Sequence, residues 1–198
     1  MRALRRLRRL LRRVFVGPLA KMLLRFHGIE FGPGLVLNSF PVCRRSGGAR
    51  IRLGSNVAIS NTINENPAGI AHRTVLAAIG EKAELVIGNS VGISGAILYC
   101  TCNITIEDYV NIGIGAMVYD TDFHPIGAAA RRAHDGSQIK NAPVRICQDA
   151  WLGAESMVLK GVTIGARSIV AARAVVVKNV PEDCIVAGVP AQIVARLG

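Results

Sequence analysis

Residues 146–176 read ICQDAWLGAESMVLKGVTIGARSIVAARAVV, and within them Ile146, Leu152, Val158, Ile164, Val170 and Val176 stand six apart without slippage. Small residues follow at Gly153, Gly165 and Ala171, and a small or branched residue recurs four places after the aliphatic at Ser156, Val162, Ser168 and Ala174. The same frame runs upstream through Ile87-Gly88, Ile93-Ser94, Ile106, Ile112-Gly113 and Val118, with a shorter echo at Leu53-Gly54 and Ile59-Ser60. A period of six fits neither a helical stripe nor a plain two-sided strand. It predicts a coil of three flat faces, with one aliphatic pointing inward from each face and small residues at the corners. Stacked coils then bury their aliphatic ladders in a narrow triangular core.

Composition agrees. The chain has 198 residues, 51% hydrophobic but only 5% aromatic, so its core is built from branched aliphatics and disorder is excluded for most of its length. The net charge of +11 is unevenly placed: nine of the 24 basic residues, and no acid, fall in residues 1–25. No apolar run reaches the roughly 18 residues that span a bilayer. Five cysteines, an odd count without framework spacing, fit a reducing compartment, so the protein is read as cytoplasmic.

Along the chain, residues 1–33 read as a basic amphipathic helical segment, helical over 1–27 and broken by Gly28 and Gly32-Pro33-Gly34. Leu4, Leu7, Leu11, Val14 and Phe15 share one side of that helix, and Arg5, Arg6, Arg8, Arg9, Arg12 and Arg13 occupy the rest. Such a helix either lies on an anionic membrane as a peripheral contact at its inner face or caps the open end of the coil. The coil domain spans 34–198, with irregular strands up to about Gly48 and insertions near 61–73 and 125–143 that read as loops. In a solenoid such insertions commonly build the binding face.

The stretch from AWLGAESMVLKG to GVPAQIVARLG resembles the C-terminal half of hexapeptide-repeat acyltransferases. From about Arg50 onward the chain resembles their maltose, galactoside and polysaccharide O-acetyltransferase branch. The resemblance implies an all-β solenoid, specifically a left-handed parallel β-helix, here preceded by the amphipathic helix. It also implies a homotrimer with sites between neighbouring copies, acetyl-CoA as co-substrate, a carbohydrate acceptor and no metal.

Of the four histidines His27, His72, His124 and His134, only His124 stands where the repeat breaks into a long loop. A sugar hydroxyl is a poor nucleophile until its proton is withdrawn, and imidazole, with an unperturbed pKa of about 6.5, can take it near neutrality. A carboxylate such as Asp122 or Asp120 is suited to fix the tautomer. The sequence Asp122-Phe123-His124-Pro125 matches the catalytic-histidine motif of the family, which implies direct transfer with no acyl-enzyme. Matching through the repeat places Ser94 where galactoside-acetylating relatives carry an acceptor-binding Asn. Their acidic sugar ligands are replaced by Tyr99-Cys100-Thr101-Cys102, which counts against a simple galactoside acceptor. Asp122 and Arg131, with His72, Asn64, Glu65 and Arg132, are the alternatives for shaping an acceptor pocket.

For coenzyme A, the same matching implies Trp151, Gly153, Ala154, Ala172, Val177 and Lys178, with Arg196 and Lys178 offering charge to phosphate. Gly153 and Ala172 keep corners narrow for an extended pantetheine arm. Gln192 stands where relatives carry Arg. Competing readings are a non-catalytic β-helix scaffold, a serine-acetyltransferase-like enzyme and a zinc anhydrase. Serine acetyltransferases carry Asp directly before the histidine, where this chain has Phe123. The anhydrases need three converging histidines, and His72, His124 and His134 lack the spacing. Nucleic-acid binding is not expected, because the basic start has no interleaved aromatics.

Overall fold

The computed structural model describes residues 15–62, 66 and 68–198. Its strands recur in threes, and every third strand joins the same parallel sheet, so the chain winds repeatedly through three faces. The first face holds Glu30–Phe31, Arg50–Leu53, Glu84–Ile87, Asn103–Ile106, Val144–Ile146 and Thr163–Ile164. The second holds Val36–Leu37, Ala58–Ser60, Gly92–Ser94, Asn111–Ile112, Trp151–Leu152, Ile169–Val170 and Cys184–Gly188, closed by the antiparallel Ala191–Arg196. The third holds Val42–Arg45, Val75–Ala78, Ile97–Cys100, Met117–Tyr119, Met157–Val158 and Val175–Val176.

Register carries the sequence period into three inward ladders. On the first face Leu53, Ile87, Ile106, Ile146 and Ile164 stack directly. On the second, Leu37, Ile59, Ile93, Ile112, Leu152, Val170 and Val186 do so. The third stacks Cys43, Leu76, Leu98, Val118, Val158 and Val176. All of these are buried and form one continuous core, and half-buried Phe31, in register with Leu53, packs against its end. Each ladder residue touches its copies one coil above and below, so dispersion and apolar burial hold the coils together.

The corners explain the small residues. A Cβ placed on Gly153 would lie 2.6 Å from the Ala172 nitrogen, and one on Gly113 would lie 2.7 Å from the Leu152 oxygen. Any side chain there would force successive coils apart.

Two corrections concern the N-terminal part. The strands before Gly48, expected to be irregular, form a complete registered first coil that begins at Glu30, ahead of the expected boundary at 34. Glycines and Pro33 at its corners mask the period in the sequence, while the strands between keep the pairing. Within the described residues the helix α1 spans Gly17–Phe26 and packs Gly17, Ala20 and Leu24 onto that coil. The arginine-rich residues 2–13 lie outside the described residues. No described helix is long and apolar enough to cross a membrane.

Candidate functional site

The three faces differ sharply in what they show to solvent. Outward positions of the first face are polar apart from Val86, with Arg52 paired to Glu30 and Glu84 at 3.4 and 3.6 Å and Arg145 bonded to Glu107 at 2.6 Å. Beyond the exposed Arg44 of the first coil, the third face is apolar on its outside: Val42, Val75, Ile97, Met117, Met157 and Val175 form one outward ladder, each only half-buried. Beside it Tyr99 registers with Tyr119, and Phe123 packs on both at ring distances of 5.0 and 5.2 Å. A continuous apolar face of this kind marks an interface.

Both insertions leave the coil at the two edges of this face. Residues 61–73 depart between Ala58–Ser60 on the second face and Val75–Ala78 on the third. Residues 120–143 depart where the third face returns to the first, and a bridge between Thr121 and Asn141 closes their base. Helix α2, Ala128–Arg132, lies within that second insertion.

His124 stands exposed at the third–first edge. Its backbone N–H donates to the Asp122 carbonyl at 2.7 Å, and Phe123 before it has φ +61°, so a tight turn presents the imidazole. Neither expected carboxylate bonds the ring. Asp120 is fully buried and accepts from Thr101 N, Thr101 Oγ1 and Cys102 N at 2.7–2.8 Å, stapling the corner one coil below. Asp122 pairs through Oδ1 with Lys160 at 2.7 Å, while its Oδ2 is buried without a partner. Arg131 is held locally through one nitrogen: its Nη1 donates to the carbonyls of Pro125 and Ile126 and ties the loop to α2. A carboxylate two residues from a histidine looked like its orienter, but the register assigns both acids to the scaffold.

Ser94 lies at the opposite, second–third edge, directly above Ser60. Its hydroxyl accepts from Asn66 Nδ2 of the first insertion at 3.4 Å. Asn64 and Glu65 of that insertion lie outside the described residues. Ser94 also lines an open groove of about 420 Å³ that runs along the second face. Asn38, Ser60 and Asn111 supply its polar groups, Ala58 and Gly92 form its floor, and half-exposed Trp151 stands at its end. None of the lining residues is charged.

The residues expected to hold coenzyme A divide between the two edges. Gly153, Ala154 and Ala172 stack on the second–third edge, with Ala154 and Ala172 exposed. Val177 and Lys178 lie exposed on the third–first edge, the edge of His124 and Lys160. Arg196 joins neither, because the final antiparallel strand returns it opposite Cys184 at the far side of the second face. The sequence reading missed Lys160, Asn38, Ser60, Asn111 and the Tyr99–Tyr119–Phe123 cluster. Only coil register brings them to these edges, although the spacing of Tyr99 and Tyr119 one coil apart carried the signal.

The five cysteines are unpaired. Burial pushes the Cys43 thiol up to about 11, and burial with the neighbouring Asp120 charge pushes Cys102 up to about 11 and Cys100 higher. These three are poor nucleophiles at neutral pH. Among the described residues no group of three His, Cys, Asp or Glu side chains converges as a metal site.

Residues 143–178 match the bacterial transferase hexapeptide (six repeats) family. A galactoside O-acetyltransferase of Lactococcus lactis is 32% identical over 110 residues, covering 52% of this chain and 52% of that protein. Galactoside O-acetyltransferase of Escherichia coli is 26% identical over 138 residues, covering 63% of this chain and 66% of its own length. The chain thus spans between half and two thirds of these curated relatives. An N-acyltransferase of Bacillus cereus, solved with dTDP and 3-hydroxybutyryl-CoA, superposes with a TM-score of 0.66 at 20% identity, over 90% of this chain and 88% of that one. A hexapeptide-repeat acetyltransferase of Vibrio cholerae, solved with acetyl-coenzyme A, gives a TM-score of 0.60 at 23% identity, over 91% and 78%. At these identities the likeness is one of fold.

Proposed function

We propose that the chain, whose residues 143–178 match the bacterial transferase hexapeptide family, is a hexapeptide-repeat acyltransferase, and that it is an acetyl-CoA-dependent O-acetyltransferase of carbohydrate hydroxyls, working as a homotrimer of left-handed β-helices. One observation carries the reading: His124 and the small-residue corner row lie on opposite edges of a single apolar face. When three parallel copies close about a threefold axis with their third faces inward, the second–third edge of each copy meets the third–first edge of the next. That closure buries the apolar ladder. It also brings Ser94, Gly153, Ala154 and Ala172 of one copy against His124, Lys160, Val177 and Lys178 of its neighbour.

In such a cleft the imidazole of His124 withdraws the proton of the acceptor hydroxyl. The freed oxygen attacks the thioester carbonyl, backbone N–H groups meet the developing oxyanion, and the carbon–sulfur bond breaks. The products are the acetyl ester and the coenzyme thiol, which takes the proton back from His124. The raised thiols of Cys43, Cys100 and Cys102 support transfer without an acyl-enzyme. Lys178 serves the coenzyme phosphates, and Asp122 acts through Lys160 to hold the turn that presents the base. A polyhydroxylated, uncharged acceptor suits the amide and hydroxyl groups of the second-face groove, and the galactoside O-acetyltransferase relatives support the carbohydrate class.

Incubation with acetyl-CoA and a panel of sugars, nucleotide sugars and lipid-linked glycans tests the reading. Thiol release that depends on one of these acceptors is expected. No release with any of them, together with no binding of coenzyme A, would leave a non-catalytic scaffold as the better account.

A further inference from the structure

We propose that helix α1 docks the protein on an anionic lipid surface through the side that faces away from the coil. The helix has three sectors. Gly17, Ala20 and Leu24 are buried against the first coil and close its open end. Directly opposite, at spacings of three and four residues, stand Leu19, Met22 and Phe26, exposed by 46%, 60% and 84%, and Phe15, just before the helix, is 65% exposed. Lys21 and Arg25 lie together on one flank between those sectors, and Arg25 is held over the Phe31 ring at 5.1 Å.

A helix that only caps a solenoid needs one apolar side, and solubility asks for a polar outer one. Here the outer side is apolar, so capping accounts for half of the helix and leaves the other half unexplained. Charge identifies the occupant. Residues 1–25 carry nine bases and no acid, and the first acid of the chain is Glu30. An apolar stripe flanked on one side by Lys21 and Arg25, in a stretch of sequence whose only charges are cations, is complementary to acyl chains beneath a layer of anionic headgroups, where such helices lie flat in the interface. The two roles read as alternatives from the sequence are therefore divided between two sides of one helix. Resting on the trimer proposed above, parallel closure would also put three such stripes at one end of the assembly, facing a single plane.

Sedimentation of the full chain with vesicles of phosphatidylcholine alone, or of phosphatidylcholine with phosphatidylglycerol, tests this without acetyl-CoA, so its outcome is independent of the transfer reading. The protein is expected to sediment about tenfold more with the anionic vesicles, and a chain carrying Leu19→Ser, Met22→Ser and Phe26→Ser to lose that excess with its unfolding midpoint unchanged. Should the triple variant unfold, Phe26→Ser alone, at the most exposed position, is expected to lose a measurable part of the excess. The proposal is overturned if the wild-type chain ignores anionic vesicles or binds neutral ones equally. It is also overturned if the folded variants sediment like wild type, which would assign binding to the arginines alone, or if the variants change oligomeric state, which would make the stripe a protein interface.

Discussion

His124→Ala is expected to lower the turnover of acetyl transfer by roughly 10²–10⁴, the range for loss of a general base, with folding and coenzyme affinity unchanged. The side chain is exposed at a loop edge, so its truncation opens no cavity in the aliphatic core. The turn that presents it is held by groups the substitution leaves in place: the His124 N–H to the Asp122 carbonyl, the Asp122–Lys160 pair and the Asp120 staple on Thr101 and Cys102. Turnover followed by thiol release, coenzyme affinity by calorimetry and unfolding by denaturant separate these effects. A variant within about threefold of wild type would remove His124 from the mechanism, since a base in this role contributes far more.

Ala172→Trp is expected to act on the other side of the cleft and in the other parameter. It should weaken apparent acetyl-CoA affinity by roughly 10²-fold, close to 3 kcal/mol, while the protein folds normally. Ala172 is exposed, so an indole there points away from the core. Its corner is stacked tightly on Gly153, and the row of small residues is what leaves a narrow channel along the second–third edge. An indole fills that channel. An unchanged KM for acetyl-CoA would place the coenzyme elsewhere.

How far the sequence alone leads follows from what each residue contacts. Ile146, Leu152 and Val158 were legible as core because each inward position repeats its neighbour one coil away, so the same physical demand is written at a fixed period. The first coil was illegible because Gly32, Pro33 and Gly34 sit at its corner and no matching small-residue rhythm surrounds Leu37 and Cys43. Both insertions showed as breaks in the period, and their edges follow from counting sixes on either side. Partners were not legible. Asp120 reads as a carboxylate able to fix the His124 tautomer until the stacking of Thr101 and Cys102 beneath it claims its oxygens. Arg131 reads as a substrate ligand, and nothing in the sequence signals that its Nη1 is held by the carbonyls of its own loop. Lys160 is 38 residues from Asp122 in the chain and meets it only through the winding of the coil.

The central claim, a transfer site shared between copies, is tested most directly by mixing two impaired proteins and assaying them at an acetyl-CoA concentration near the wild-type KM, far too low to fill the Ala172→Trp sites. Trimers of His124→Ala lack the base, and trimers of Ala172→Trp lack an open coenzyme channel. In mixed trimers assembled from equal amounts, a site is competent where a copy with an intact base adjoins a copy with an intact corner, which is about a quarter of sites in a cyclic assembly. Co-refolding the two variants should therefore restore acetyl transfer to about a quarter of the wild-type rate per chain, although each alone is nearly inactive. If His124 and Ala172 served a site within one chain, every site in the mixture would carry one defect. Activity no higher than the average of the two parents would contradict the account.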